Sequence, residues 1–142
     1  MERLYKFISN LDQPYDEIFT IIKPGFLKLS GEIIKIFEEH GWWVFKTDTK
    51  MLTIKQAHDL YKIHKKEDWY EPLCKYMSSG ESTAILFRKT YNKPQTEPKD
   101  IYKEVGKIKD EIRDRWGESD MRNVMHSSDS KEHMEDEMKI YF

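Results

Sequence analysis

One cysteine, Cys74, in 142 residues leaves no intramolecular disulfide to hold the fold together. The thiol reads as a small buried hydrophobe, and a reducing, cytoplasmic setting is the expectation. Long apolar runs are missing too, so no segment is suited to spanning a membrane. Residues 1–10 lack the apolar stretch and cleavage site of a signal peptide. An excess of one charge is also absent: 24 Lys and Arg stand against 26 Asp and Glu, for a net charge of −2. Binding bulk nucleic acid through its phosphates needs a basic face, so nucleic acid is excluded as a partner. Any phosphate chemistry must then rest on a few placed cations. The six glycines form neither a phosphate loop ending in Gly-Lys-Ser/Thr nor a dinucleotide fingerprint. No helix pattern carries two His and a Glu for zinc, and one cysteine cannot make a metal cluster.

What is present suits one compact domain with a single core. Aromatic residues make up 13% of the chain and charged residues 35%, which gives bulky core material inside a well-solvated surface. Leu4, Phe7, Ile8 and Leu11 fall at helical spacing before Pro14 interrupts. Residues 18–22 read as a strand running into a Lys23-Pro24-Gly25 turn. Ser30 is placed to cap a helix with Ile33, Ile36 and Phe37 on one face, which Gly41 ends in the left-handed conformation. Residues 42–50 are aromatic and β-branched, hence a second strand. Thr53 and Gln56 make a capping box for a helix that turns Ala57, Leu60 and Tyr61 inward. A helix at 72–77, a strand at 83–87 and a loop at 90–99 follow. Ile101, Val105, Ile108, Ile112 and Trp116 then form one helical stripe. Residues 122–126 read as a last strand, and Asp129 with Glu132 as the cap of a final helix carrying Met134, Met138 and Tyr141. Elements mixed in this order predict an α+β sandwich.

The chemistry concentrates in Arg122-Asn123-Val124-Met125-His126-Ser127-Ser128-Asp129. A histidine ending an apolar strand beside hydroxyls and a carboxylate has the make-up of a nucleophile or general base. Imidazole attacks phosphorus because it is largely unprotonated near neutral pH. Taken alone, a single histidine is as readily a structural residue. Lys23 alone reads as a strand end in solvent, Arg113 as half of a surface ion pair, and Tyr61 and Trp69 as core aromatics. Glu137, among Glu135 and Asp136, reads as part of a solvated helix face.

Asn123-x-x-His126-Ser127-Ser128-Asp129 resembles the active-site signature of the nucleoside diphosphate kinase family, which usually has glycine where this chain has Ser127. The segments Thr20-Ile21-Ile22-Lys23-Pro24, Gly31-Glu32-Ile33-Ile34-Lys35-Ile36-Phe37-Glu38 and Lys75-Tyr76-Met77-Ser78-Ser79-Gly80 resemble family segments in the same order. The likeness covers residues 18–142 and leaves 1–17 as an N-terminal extension. It implies a ferredoxin-like βαββαβ sandwich, a four-stranded antiparallel sheet with helices packed on it. It also implies transfer of a γ-phosphoryl group from a nucleoside triphosphate to a nucleoside diphosphate, by a ping-pong mechanism through a phosphorylated His126. Ser128 and Glu137 match the pair that orients the imidazole. Lys23 and Arg113 match phosphate contacts, Asn123 a sugar contact, Tyr61 a neighbour of the histidine and Trp69 the ring that stacks on the base. Mg²⁺ is implied as the cofactor, held through the nucleotide phosphates rather than by protein side chains. A homo-oligomer is implied, a hexamer ahead of a tetramer or dimer. The competing expectation is a family member that binds nucleotide with weak or no transfer and serves as a regulatory or scaffold module.

The departures from the pattern are specific. The turn after Lys23-Pro24 is about two residues shorter than the family's and lacks its aspartate. The family's second phosphate-binding arginine and following threonine have no counterpart between Thr90 and Lys109, where Lys103 or Lys107 is the candidate replacement. Asp120 falls where the family has a small apolar residue over the base. His40, His58, His64 and His133 match no family role and are expected at the surface or in packing.

Overall fold

The computed structural model describes residues 14–90 and 100–142. The expected helix before Pro14 and most of the loop at 90–99 lie outside the described residues. Four strands, β1 (Tyr15–Ile22), β2 (Trp43–Lys50), β3 (Ser82–Thr90) and β4 (Met125–Ser127), form one sheet in the order β2-β3-β1-β4. Every pairing is antiparallel. Among the described residues five α-helices pack on the sheet: α1 (Ser30–Glu39), α2 (Ile54–Leu60), α3 (Tyr70–Met77), α4 (Ile101–Trp116) and α5 (Lys131–Tyr141).

The central strand explains the layering. Ile18-Phe19-Thr20-Ile21-Ile22 is buried throughout. Because side chains alternate across a strand, this apolar run needs cover on both faces. Ile18 and Ile22, with Ile85 and Phe87 of β3, pack against Ile33, Ile36 and Phe37 of α1 and Val105, Ile108 and Ile112 of α4. Phe19 and Ile21, with Ala84 and Leu86, pack against Ala57 and Leu60 of α2, Leu73 and Met77 of α3, and Met134 and Tyr141 of α5. The βαββαβ core therefore sets α1 and α4 on one face, while α2, α3 and α5 close the other. Phe37 and Phe87 stack at 4.4 Å within the first layer. Cys74 is fully buried in the second, where loss of hydration pushes its thiol up to about 11.

Several local expectations hold. Thr53 and Gln56 form the reciprocal capping box of α2. Gly41 closes α1 at φ 88°. The first and third strands and α3 extend beyond their expected bounds, and three further boundaries differ for a visible local reason. Ser30 does not cap α1: it is the first helical residue, and its hydroxyl donates to the Leu27 carbonyl at 2.6 Å. The cap of α5 is Ser130, whose hydroxyl accepts from the His133 amide, in place of Asp129. The last strand begins at Met125 rather than residue 122, because the Met125 amide turns back to the Asn123 carbonyl and puts Val124 at φ 81°. A β-branched residue rarely adopts that conformation. Here the Lys23 amide, donating to the Val124 carbonyl at 2.8 Å, holds the turn against the end of β1.

Candidate active site

The strained turn brings two distant segments together. β4 pairs with β1 so that His126 lies opposite Ile21, two residues before Lys23. Below Lys23 the Pro24-Gly25 turn is pinned by the Tyr76 hydroxyl, which donates to the Pro24 carbonyl. Gly25 has φ 91°, a conformation that strains any residue with a Cβ, and the Arg122 guanidinium lies over it.

His126 is held by a carboxylate. Its Nε2 lies 2.9 Å from Glu137 Oε1, and the other carboxylate oxygen accepts from the Ser128 hydroxyl. Glu137 is 8% exposed. Burial opposes its ionisation, but the His126 hydrogen bond and charge and the Ser128 hydroxyl outweigh that and hold the carboxyl below its usual range. In the neutral ring a carboxylate acceptor favours the proton on Nε2, and the lone pair then lies on Nδ1. The Tyr61 ring meets the imidazole edge-on at 5.6 Å. Its hydroxyl is buried and without a partner among the described residues, and burial raises it well above the ordinary phenol range.

A cavity of about 450 Å³ opens beside the histidine. Its wall carries three cations, Lys23, Lys109 and Arg113, together with His126. Lys23 is 4% exposed, and its ammonium donates to Asn123 Oδ1 at 2.7 Å and to the Met121 carbonyl at 3.3 Å. Burial, and then the charges of Arg113 and Lys109, bring the amine down from 10.5 to about 7. Arg113 Nη2 donates to the Met125 carbonyl at 2.8 Å, tying α4 to β4, while its Nε is buried with no hydrogen-bond partner among the described residues. An aromatic surface shares the wall: Trp69, 45% exposed, lies 4.8 Å from the His64 ring, and Leu73, Met121 and Asp120 are also part of the lining. The cavity thus brings together three cations, a platform for a flat ring and a histidine.

All eight residues singled out from the sequence meet here. Lys23, Tyr61, Trp69, Arg113, Asn123 and His126 line the cavity, and Ser128 and Glu137 stand behind the histidine. One expectation does not survive. Lys103 and Lys107 are exposed and do not line the cavity. Lys109, which the sequence did not single out, does. His64 packs against the Trp69 ring, in keeping with the packing role expected of it, and shares the cavity wall with it. The signal for Lys109 was its spacing of four residues before Arg113, which puts both on one face of a helix.

Among the described residues, no group of three or more His, Cys, Asp or Glu side chains is placed to hold a metal ion. No described helix is long and apolar enough to cross a membrane.

Comparison with known proteins gives one answer. Residues 16–142 match the family model described as nucleoside diphosphate kinase. The nucleoside diphosphate kinase of Kosmotoga olearia is 31% identical over 138 residues, covering 89% of this chain and 88% of its own length. That of Hyperthermus butylicus is 32% identical over 135 residues, covering 91% and 93%. The crystal structure of the Aquifex aeolicus nucleoside diphosphate kinase shares the fold, with a TM-score of 0.76 at 23% identity over 91% of this chain and 96% of that one.

Proposed function

This chain belongs to the nucleoside diphosphate kinase family, which makes it a phosphotransferase, and we propose that it carries the phosphoryl group on Nδ1 of His126. The observation that carries this reading is the His126–Glu137–Ser128 chain at the mouth of a cationic cavity. Nδ1 attacks the γ-phosphorus of a bound nucleoside triphosphate. The bond from that phosphorus to the bridging oxygen breaks, the nucleoside diphosphate leaves with the electron pair, and the Nε2 proton stays on the imidazole against Glu137. In the second half-reaction, a terminal oxygen of another diphosphate attacks the same phosphorus, the P–N bond breaks and His126 is restored. Because one site serves both nucleotides in turn, the kinetics are ping-pong.

The protein's part is positioning and charge. Lys23 and Arg113 stabilise the equatorial oxygens, and preorganised cations in a partly desolvated pocket act more strongly there than in water. Asn123, bonded to Lys23 and to the Asp120 carbonyl, presents polar edges to the sugar. Trp69 offers its exposed face to the base, and stacking accepts any base because each has a π-face. Tyr61 packs on the imidazole and limits its rotation. Mg²⁺ bound to the nucleotide rather than to protein side chains would supply neutralisation of part of the phosphate charge, beside Lys23 and Arg113. We further propose a cytoplasmic homo-oligomer, a hexamer before a tetramer or dimer. The exposed Trp43 and Phe45 on the edge strand β2 give it apolar surface for self-association.

The test separates the half-reactions. Enzyme incubated with γ-labelled ATP, freed of nucleotide and then given GDP, should release one label per active site as GTP. Label that stays on the protein, or never reaches it, contradicts the scheme.

A further inference from the structure

The three cations of the cavity are not equally free to bind a ligand. Lys23 spends two of its three donors on Asn123 and the Met121 carbonyl. Arg113 spends Nη2 on the Met125 carbonyl. Lys109 forms no ion pair or side-chain hydrogen bond with the described residues, although it is only partly exposed and lines the cavity. Asp129, in the same wall, and Asp110 and Glu137 act on it only through their fields. A half-buried cation held close to two others, with its donors unspent, is a cost to the folded protein unless an anion is bound. Its place is also fixed by backbone: Lys109 and Arg113 stand four residues apart on α4, whose Ile108 and Ile112 are locked into the core.

We propose that Lys109 is a further residue that grips the nucleotide's phosphate chain, and the one with all of its donors available to phosphate oxygens. Lys23 and Arg113 serve partly as struts that shape the cavity around that chain. The assignment rests on the reading of the cavity as a nucleotide site. It gives this chain a phosphate contact on the long helix α4, the element in which the sequence departs from its family. A lysine on a four-carbon stem follows a moving phosphate more easily than a braced guanidinium does.

The experiment compares ADP with adenosine, which lacks the phosphates, in the full chain and in Lys109→Met, Lys109→Arg, Lys103→Met and Lys107→Met. Lys109→Met should weaken ADP by about tenfold or more while leaving adenosine within about twofold. Its ADP affinity should also fall less steeply with added salt than the parent's. Lys109→Arg should stay within about threefold of the parent for ADP, as should the Lys103 and Lys107 variants. ADP binding by Lys109→Met that equals the parent's overturns the assignment, as does equal loss of ADP and adenosine. Neither readout requires phosphoryl transfer. An unlabelled His126 in the parent would therefore sink the proposed reaction, whereas parent-like ADP binding by Lys109→Met would sink only this assignment.

Discussion

If the cavity takes a nucleotide as proposed, Lys23 should make its binding a proton-linked event. The Lys23 amine sits at about 7, lowered from 10.5 first by burial and then by Arg113 and Lys109. That lowering corresponds to about 5 kcal/mol of opposition to the charged form, as an upper bound. The native protein then binds fewer protons than the unfolded chain between about 7 and 10.5, so this group makes stability rise with pH across that window and carries its full cost below it. A phosphate chain placed against the amine reverses the balance, since an opposite charge within reach raises an amine by about 1–3 units. At pH 8 the free enzyme holds Lys23 about nine-tenths uncharged, so binding ADP should draw in about 0.4–0.9 proton. At pH 6 uptake at this group should fall to about 0.1 or less. Affinity should decline as pH climbs above 7, by up to about tenfold per unit. Titration calorimetry of ADP at pH 8 in buffers of different ionisation enthalpy measures the uptake directly, because protons drawn from buffer add the buffer's heat. Lys23→Met should bind more weakly and show little buffer dependence. If the parent's heat at pH 8 does not depend on the buffer, Lys23 is already charged in the empty site and the electrostatic reasoning is wrong.

Other expectations follow from single contacts. Arg113→Ala should raise the transfer barrier by about 2–4 kcal/mol, the scale for losing one preorganised stabiliser, read as kcat/KM for ATP; a parent-like value would remove Arg113 from the phosphates. Glu137→Gln keeps an acceptor for His126 but removes the charge, and should lower kcat about 10–100-fold with little change in ADP affinity; a change confined to affinity would mean that Glu137 does not orient the imidazole. Asp120, which lines the cavity, should favour bases with hydrogen-bond donors, so kcat/KM should rank GDP above dTDP, and Asp120→Val should narrow the gap. Equal values for GDP, CDP and dTDP in parent and variant would mean that the carboxylate never meets the base.

The central strand and the helical stripes were legible because burial on two faces leaves a continuous apolar run, and burial on one leaves a 3.6-residue period. The order of elements and the signature around His126 then led to the sheet and to the group that meets in the cavity. Less was legible where a decision turned on one residue's backbone. Ser30 and Asp129 each have a side chain able to cap, and only the local turn decides between neighbours such as Asp129 and Ser130. The positive φ of Val124 has no sequence signal, since valine disfavours it and the tertiary contact from Lys23 enforces it. Lys109 was hidden by the regularity of its own helix. Lys103, Lys107 and Lys109 all flank the Ile101–Ile112 stripe, and which flank faces the cavity depends on how α4 crosses the sheet.

The central claim is that His126 carries the phosphoryl group, and one comparison addresses it most directly. Parent enzyme and His126→Ala are each mixed with γ-labelled ATP, quenched, and the protein-bound phosphate is measured after acid and after alkali. The parent should retain about one alkali-stable, acid-labile phosphate per chain, as a phosphoramidate does, and His126→Ala should retain none and transfer none to GDP. Undiminished labelling or turnover in His126→Ala would contradict the account.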